Sequence, residues 1–411
     1  MRTPLNSPFS PGSDSVPEVW AGRLTHLDDW RSVVRPRRLA GLPERGRTIL
    51  GEAGLGKSSL VRRLASEAAA LGDWITPQLR IPLGADPLKP VAAALLELAR
   101  QAGLPASREQ RIGSLLERVE TVAAAGLSLS MRAKDGPEPY SALSDLILEI
   151  GREAARRGDV LVMIHIDEMQ NVTRGDALSQ LLIALGDSLA HEEEVEVPGG
   201  GRLLRTLPIA VYLTGLPEFA DMAGARKGAT FARRFQTTTL AAIADDDLAA
   251  ALQPFVLPGW PVSGPAGLPG RVRMTPQARD AIIERCCGEP FLFQLAGERA
   301  WYAGTGDLIT REDVAEGWRS AEGEAESHVV RILERLPARE REFVEAMASL
   351  APQERRLTRI AEAAGLSAAA KAGPTTQRLD TQRGIIRRGS PYTFRHRAVE
   401  AYLATDWPAV A

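Results

Sequence analysis

The sequence predicts an α/β protein: a parallel sheet covered by helices, then a helical segment, then a small basic C-terminal region. Three observations predict it. Short unbroken apolar runs, Val160 to Ile166 above all, alternate with amphipathic helices from about residue 20 to 240, as strands buried on both faces do. Beyond 240 those runs fade and helical spacing takes over. The charge then shifts: residues 331–411 hold 14 Lys/Arg against 9 Asp/Glu, in a chain whose net charge is −2.

Composition excludes several classes. With 411 residues, 44% hydrophobic and 25% charged, the chain is globular, and two to three domains are expected. A uniformly basic coat for nucleic acid is absent. No window holds 18 unbroken apolar residues, so no membrane span is expected. Met1-Arg2-Thr3-Pro4-Leu5-Asn6 lacks the apolar core of a secretory signal. The two cysteines, Cys286 and Cys287, are adjacent and make no disulfide framework, which points to a reducing, cytoplasmic setting. A zinc site is not expected, because no second Cys pair exists and the histidines are scattered.

Element by element, Pro4, Pro8, Pro11 and Pro17 mark residues 1–17 as a flexible arm. A strand is expected at 48–50 and a helix at 57–70, with Leu60, Val61, Leu64 and Ala68 on one face. A strand at 78–83 and a helix at 91–101 follow. Residues 103–138 read as an insertion with one amphipathic helix. Next come a helix at 142–155, the strand at 160–166, a helix at 177–189, an acidic then Gly-rich loop at 191–201, and a strand at 209–213. Helices are expected at 246–253, 276–286, 290–302 and 311–322, with a Pro/Gly-rich loop at 254–269. The end of the chain reads as helices at 337–350, 357–364 and 374–382 and a hairpin at 385–394. The domains are then an arm at 1–17, an αβα domain at 18–240, a helical subdomain at 241–328 and a C-terminal domain at 329–411.

The chemistry begins at Gly51-Glu52-Ala53-Gly54-Leu55-Gly56-Lys57-Ser58, which fits G-x-x-x-x-G-K-[ST] without a mismatch and is followed by Ser59. Glycines let successive N–H groups turn inward around phosphate oxygens, and the helix that follows aims its positive end at the same anion. Lys57 reaches the β and γ oxygens, and the Ser58 hydroxyl ligates Mg²⁺. The expected ligands are therefore ATP and Mg²⁺. Leu161-Val162-Met163-Ile164-His165-Ile166-Asp167-Glu168 supplies the other half: an apolar strand ending in two acids, the Walker B pattern. Asp167 is the second magnesium ligand, and Glu168 polarises the attacking water, so the pair implies an ATPase. His165 reads as a packed core histidine.

Trp20-Ala21-Gly22-Arg23-Leu24-Thr25-His26-Leu27 resembles the box that opens AAA+ modules of replication initiators and of STAND-type signalling ATPases. The resemblance places Gly22 and Arg23 near the adenine. It makes Tyr212-Leu213-Thr214-Gly215 the strand end that carries sensor 1, with Thr214 contacting the γ-phosphate or the water. It makes Phe231-Ala232-Arg233-Arg234-Phe235 the arginine-finger region, with Arg234 or Arg233 acting in trans across a homo-oligomer interface and Arg226 as a further candidate. The lid helix opens Gly288-Glu289-Pro290-Phe291, without the sensor arginine of replication-type proteins. This Gly-x-Pro start is closer to STAND lids, in which Pro290 would pack on the nucleotide.

The C-terminal helices and hairpin resemble a winged helix. Thr375, Thr376, Gln377, Arg378, Thr381 and Gln382 lie on the would-be recognition helix and Arg387 and Arg388 on the wing, with duplex DNA as the expected partner of Thr375, Gln377, Arg378, Arg387 and Arg388. The competing reading is a STAND-like regulatory ATPase whose winged helix packs on the nucleotide domain and whose output is a protein partner. A third is a nucleotide-binding scaffold with negligible turnover.

Overall fold

The computed structural model describes residues 1–12, 16–103, 139–197, 200–224, 233–263, 269–366 and 369–409. The amphipathic helix expected within 103–138 and the candidate Arg226 lie outside them. The chain forms two compact units: Leu24–Leu50 with Leu60–Thr238, and Met1–Arg23 with Gly51–Ser59 and Thr239–Ala411.

The first unit is built on a sheet. Its early strands are β1 (Gly46–Leu50), β2 (Trp74–Ile75), β3 (Leu79–Arg80) and β4 (Val162–Asp167). Next, β5 (Glu192–Val197) and β6 (Gly201–Thr206) pair, among the described residues, only with each other, and β7 (Ile209–Gly215) and β8 (Phe235–Thr239) return to the sheet. The order is β2-β4-β7-β1-β8, with β3 on the far end of β4. The pairs β2/β4, β3/β4, β4/β7 and β1/β7 are all parallel. Ile166 is opposite Leu213 and Leu50 is opposite Gly215, so β4, β7 and β1 end along one edge. That edge is where open parallel sheets carry their ligands. Helices Leu88–Gln101, Pro139–Arg157 and Gly175–Ala190 bury Leu95, Ile147, Leu181 and Leu185 against Ile164, Ile166, Val211 and Leu213.

One expectation fails here and one strand goes unread. Residues 191–201 are not a loop, because β5 and the start of β6 form a hairpin there. A strand exposed on both faces keeps no buried apolar alternation to announce it. Likewise β8 lies at the end of the sheet order, where Gln236 and Thr237 face water and the apolar signal is lost.

The second unit is mainly helical. Its core gathers Phe255, Ile282, Phe293, Trp301 and Trp318. The N-terminal arm is a correction: Arg2 and Phe9 are buried. Phe9 stacks on Phe255 with ring centroids 5.5 Å apart. Arg2 Nη1 donates to the Ala300 carbonyl at 2.9 Å, and its guanidinium pairs with Asp313 at 3.1 Å. Gly297, which has no side chain, leaves the space that the Phe9 ring fills. The expected loop at 254–269 also gives way, since it contains β9 (Trp260–Ser263), which pairs antiparallel with β10 (Pro269–Met274). Then β10 pairs with β11 (Leu308–Ile309). Trp260 anchors this sheet by stacking on Phe255 at 4.6 Å.

A helix not read from the sequence, Glu322–Glu334, precedes the C-terminal helices Ala338–Ala348, Leu357–Ala363 and Gly373–Gln377. The last continues as a wider π turn to Gln382. A two-stranded antiparallel hairpin, β12 (Ile386–Arg387) and β13 (Thr393–Phe394), and helix Arg397–Ala404 follow. Three helices followed by a hairpin match the element order expected from the sequence. Among the described residues no helix is long and apolar enough to cross a membrane.

Candidate nucleotide site

In the sheet unit the predicted acids gather at the carboxyl edge. Asp167 is the last residue of β4 and is buried. The Thr214 hydroxyl, from the end of β7, donates to Asp167 Oδ1. Gln78 Nε2 donates to Oδ2 at 2.8 Å, and the Glu168 N–H donates to Oδ1 at 2.9 Å. Arg62 holds Gln78 in turn, Nε to Oε1 at 2.6 Å. An anion fixed by three donors at a strand end is oriented before any ligand arrives. Glu168 has φ 60°, a left-handed backbone rarely adopted by glutamate. Its carboxylate accepts from the Gln170 amide, and Gln170 Oε1 accepts from the Leu216 N–H at 2.8 Å. His165 lies beside Thr214, Nε2 to Oγ1 at 3.3 Å. Complete burial pulls His165 down to about 4, so it is a neutral imidazole at pH 7.

The phosphate loop belongs to the other unit. Gly51 follows directly on the last residue of β1, and Gly54 and Gly56 have φ of 82° and 79°, as an inward-turned loop requires. Helix Lys57–Ala70 starts where the motif ends. Lys57 is buried, and its Nζ donates to the carbonyls of Gly51 and Glu52 at 2.9 and 3.1 Å. Arg23 binds the loop from outside, donating to the Leu55 carbonyl at 3.0 Å and to Ala241 at 2.8 Å. Burial lowers the Arg23 pKa to about 10, so it stays charged. Gly22, φ 62°, packs on Ile243 and Asp247.

The start of helix Pro290–Tyr302 packs on this loop. The Phe291 N–H donates to the Gly54 carbonyl at 3.1 Å, and Pro290 packs beside Gly56. Glu52, fully buried, pairs with Arg335. Glu289, also fully buried, lies 2.7 Å from His328 Nε2 and 2.9 Å from His396 Nδ1. Burial alone would raise the Glu289 pKa, but the charge of His396 and the hydrogen bond from His328 outweigh it and hold it at about 2. Burial would lower His396, and Glu289 beside it raises it above the usual histidine value.

Sequence reasoning missed Gln78, Gln170, Glu289, His328, Arg335 and His396. Glu289 offered a faint signal, an acid inside the Gly-x-Pro start; the others are isolated polar residues far from any motif. Of the expected arginine fingers, Arg233 is exposed and Arg234 pairs with Asp187 on the neighbouring helix. Of the expected DNA contacts, Thr375 is a correction: it is buried, because the inner face of the short third helix packs on the domain core. Arg378 is drawn to the buried Glu340 at 2.6 Å, and Arg388 to Asp380 at 3.2 Å. Gln377 and Arg387 remain exposed.

Two solved structures share this architecture. A Walker-type ATPase of Pyrococcus abyssi superposes with a TM-score of 0.52 at 16% identity, over 87% of this chain and 90% of its own. The ORC2 protein of Aeropyrum pernix, solved as ADPNP and ADP complexes, gives 0.51 at 16% identity, over 93% and 92%. The chain has the fold of the AAA+ ATPases. On the AAA+ fold the acids and Thr214 end adjacent strands, and the phosphate loop leaves the strand beyond. No protein-family model and no curated protein sequence matches the chain.

Proposed function

We propose that this protein binds ATP with magnesium and hydrolyses it slowly, and that nucleotide occupancy biases the position of its C-terminal winged helix on duplex DNA. The observation that carries the reading is the Asp167 carboxylate, fixed by Thr214 and Gln78 at the sheet edge where β1 runs into the phosphate loop. Oxygen donors suit a hard divalent cation. Asp167 and the Ser58 hydroxyl would hold Mg²⁺, which when bound supplies charge neutralisation at the phosphates. Lys57 leaves its own loop carbonyls for the β and γ oxygens, and the amides of 51–59 cup the phosphates. Glu168 takes the proton of the attacking water, Thr214 senses the γ-phosphate, and Arg233 or Arg234 acts from a second copy. Gly22, Arg23 and Pro290 shape the loop rather than perform chemistry. Glu168→Gln tests this: turnover falls by about a hundredfold or more while ATP binding persists. Equal hydrolysis by variant and wild type overturns the assignment of the base.

For DNA, the exposed Gln377 and Arg387 carry the reading. Retention of the full chain on duplex weakens with salt, and Arg387→Ala lowers the logarithmic salt slope by about 1.

A second reading is favoured by a specific observation. Arg335 is paired with Glu52 of the phosphate loop, and His396 of the winged helix with Glu289 at the lid start. A domain so engaged suits a regulatory ATPase with a protein partner. A flat response of DNA retention to salt decides for it.

A further inference from the structure

Strand β4 sends alternate side chains to opposite faces. Val162, Ile164 and Ile166 join the core formed with the helices, so Met163, His165 and Asp167 lie on the other face. On β7 the same alternation sends Val211 and Leu213 into that core and Tyr212 and Thr214 to the other face. The register sets His165 opposite Tyr212 and Ile166 opposite Leu213, which leaves Asp167 level with Thr214. His165 is therefore one step behind the carboxylate, on the same face, and buried. Its backbone is fixed as well, since its N–H donates to the Thr76 hydroxyl at 3.1 Å.

Two chains of donors converge on Asp167. Gln78 Oε1 accepts from Arg62, which turns the Gln78 amide N–H towards Oδ2. On the Oδ1 side the direction follows from counting protons. The Thr214 hydroxyl has one proton and two lone pairs, and a carboxylate only accepts. That proton goes to Asp167 Oδ1. His165 Nε2, 3.3 Å from Thr214 Oγ1, is then the donor in that pair. A neutral imidazole meets this with its single proton on Nε2. A charged ring keeps the same proton, so the direction does not depend on titration. Thr214 is left with one lone pair and no proton to offer a ligand.

We propose that His165 is a positioning residue for hydrolysis: through its Nε2–H it commits the Thr214 proton to Asp167 and presents Thr214 to the attacking water as an acceptor. This role rests on the ATP hydrolysis proposed for the site. A phosphate oxygen has no proton to give to the Thr214 lone pair, whereas water has two. One passes to Glu168 as the water oxygen bonds to the γ-phosphorus and the bond to the β,γ-bridging oxygen breaks. The other stays on the oxygen, held by Thr214, which thus senses the γ-phosphate through the water. Two fixed acceptors aim the lone pair of the water along the line of attack. A threonine free to turn would offer its proton elsewhere and lose that aim.

His165→Phe keeps a planar ring and removes the donor, and His165→Gln puts back an amide N–H. In steady-state ATP hydrolysis by the full chain, His165→Phe lowers kcat about tenfold or more and changes KM by less than about twofold, and His165→Gln recovers most of the loss. In a Thr214→Val background, adding His165→Phe costs less than about twofold more, because the bond it would break is already gone. Additive losses, or equal losses in the Phe and Gln variants, mark a packing role and overturn the proposal. A second readout needs neither turnover nor a variant that folds. In wild type carrying isotope-labelled histidine, without nucleotide and near neutral pH, nuclear magnetic resonance shows His165 with its proton on Nε2. A ring with its single proton on Nδ1 overturns the proposal. A wild type that hydrolyses no ATP overturns the reading of the site and this role together. A wild type that turns over, beside an unimpaired His165→Phe, overturns this role alone.

Discussion

At Glu289 a carboxylate shielded from water lies between two imidazoles, and its ionisation is tied to the fold. Its pKa is held down at about 2, so its contribution is present above the unfolded value near 4.5 and is lost as pH falls towards 2. His396 is raised above 6.5, so its contribution is full below 6.5 and is lost as pH rises through the higher folded value. His328, Glu52 and Arg335 complete the polar surroundings. The expected result is a melting temperature that peaks between about pH 4.5 and 6.5 and declines on both sides. Glu289→Gln flattens that profile; an unchanged profile contradicts the assignment. Beyond the faint signal of Glu289 none of this was legible in the sequence, because the three residues come from three separate segments. The helix that starts at Lys57 and the strand that ends at Asp167 were legible, because a Gly-rich turn into a helix and an apolar run are written in neighbouring residues.

Among the elements, those with one buried face were read well. The helices at 57–70, 276–286 and 290–302 have the bounds that periodicity and their Pro or Lys starts predict. The misread elements are those whose packing is atypical: the doubly exposed β5–β6 hairpin, the edge strand β8 and the N-terminal arm. The arm is the sharpest case. Four prolines announce a loose segment, yet Phe9 occupies the space left by Gly297 and meets Phe255 and Phe293. Phe9→Ala is expected to destabilise the protein by about 3 kcal/mol, read from urea unfolding. A loss within about 0.5 kcal/mol would mean that the arm docks without contributing to stability.

For the whole molecule, nucleotide binding should appear as linkage. A ligand that binds only the folded chain at 100 times its Kd stabilises it by about 2.7 kcal/mol. Magnesium ATP is expected to raise the melting temperature of the wild type and to leave Lys57→Ala unshifted, since that variant loses the cation for the β and γ oxygens. An equal rise in both would detach Lys57 from the nucleotide. The same measurement on Glu168→Gln should show the full rise, which separates binding from hydrolysis.

The sequence by itself determined the parallel sheet, the Gly-rich loop from 51 to 58, the strand that ends in Asp167, and the helical run that follows. Each is written in local spacing, because hydrogen bonding and phosphate chemistry act over a few neighbouring residues. Only the tertiary structure decided that Thr214 and Gln78 fix Asp167, that Thr375 turns inward, and that Glu289 is enclosed by His328 and His396. Those contacts join residues dozens to a hundred positions apart, and burial, which sets their charge and partners, is a property of the packed chain.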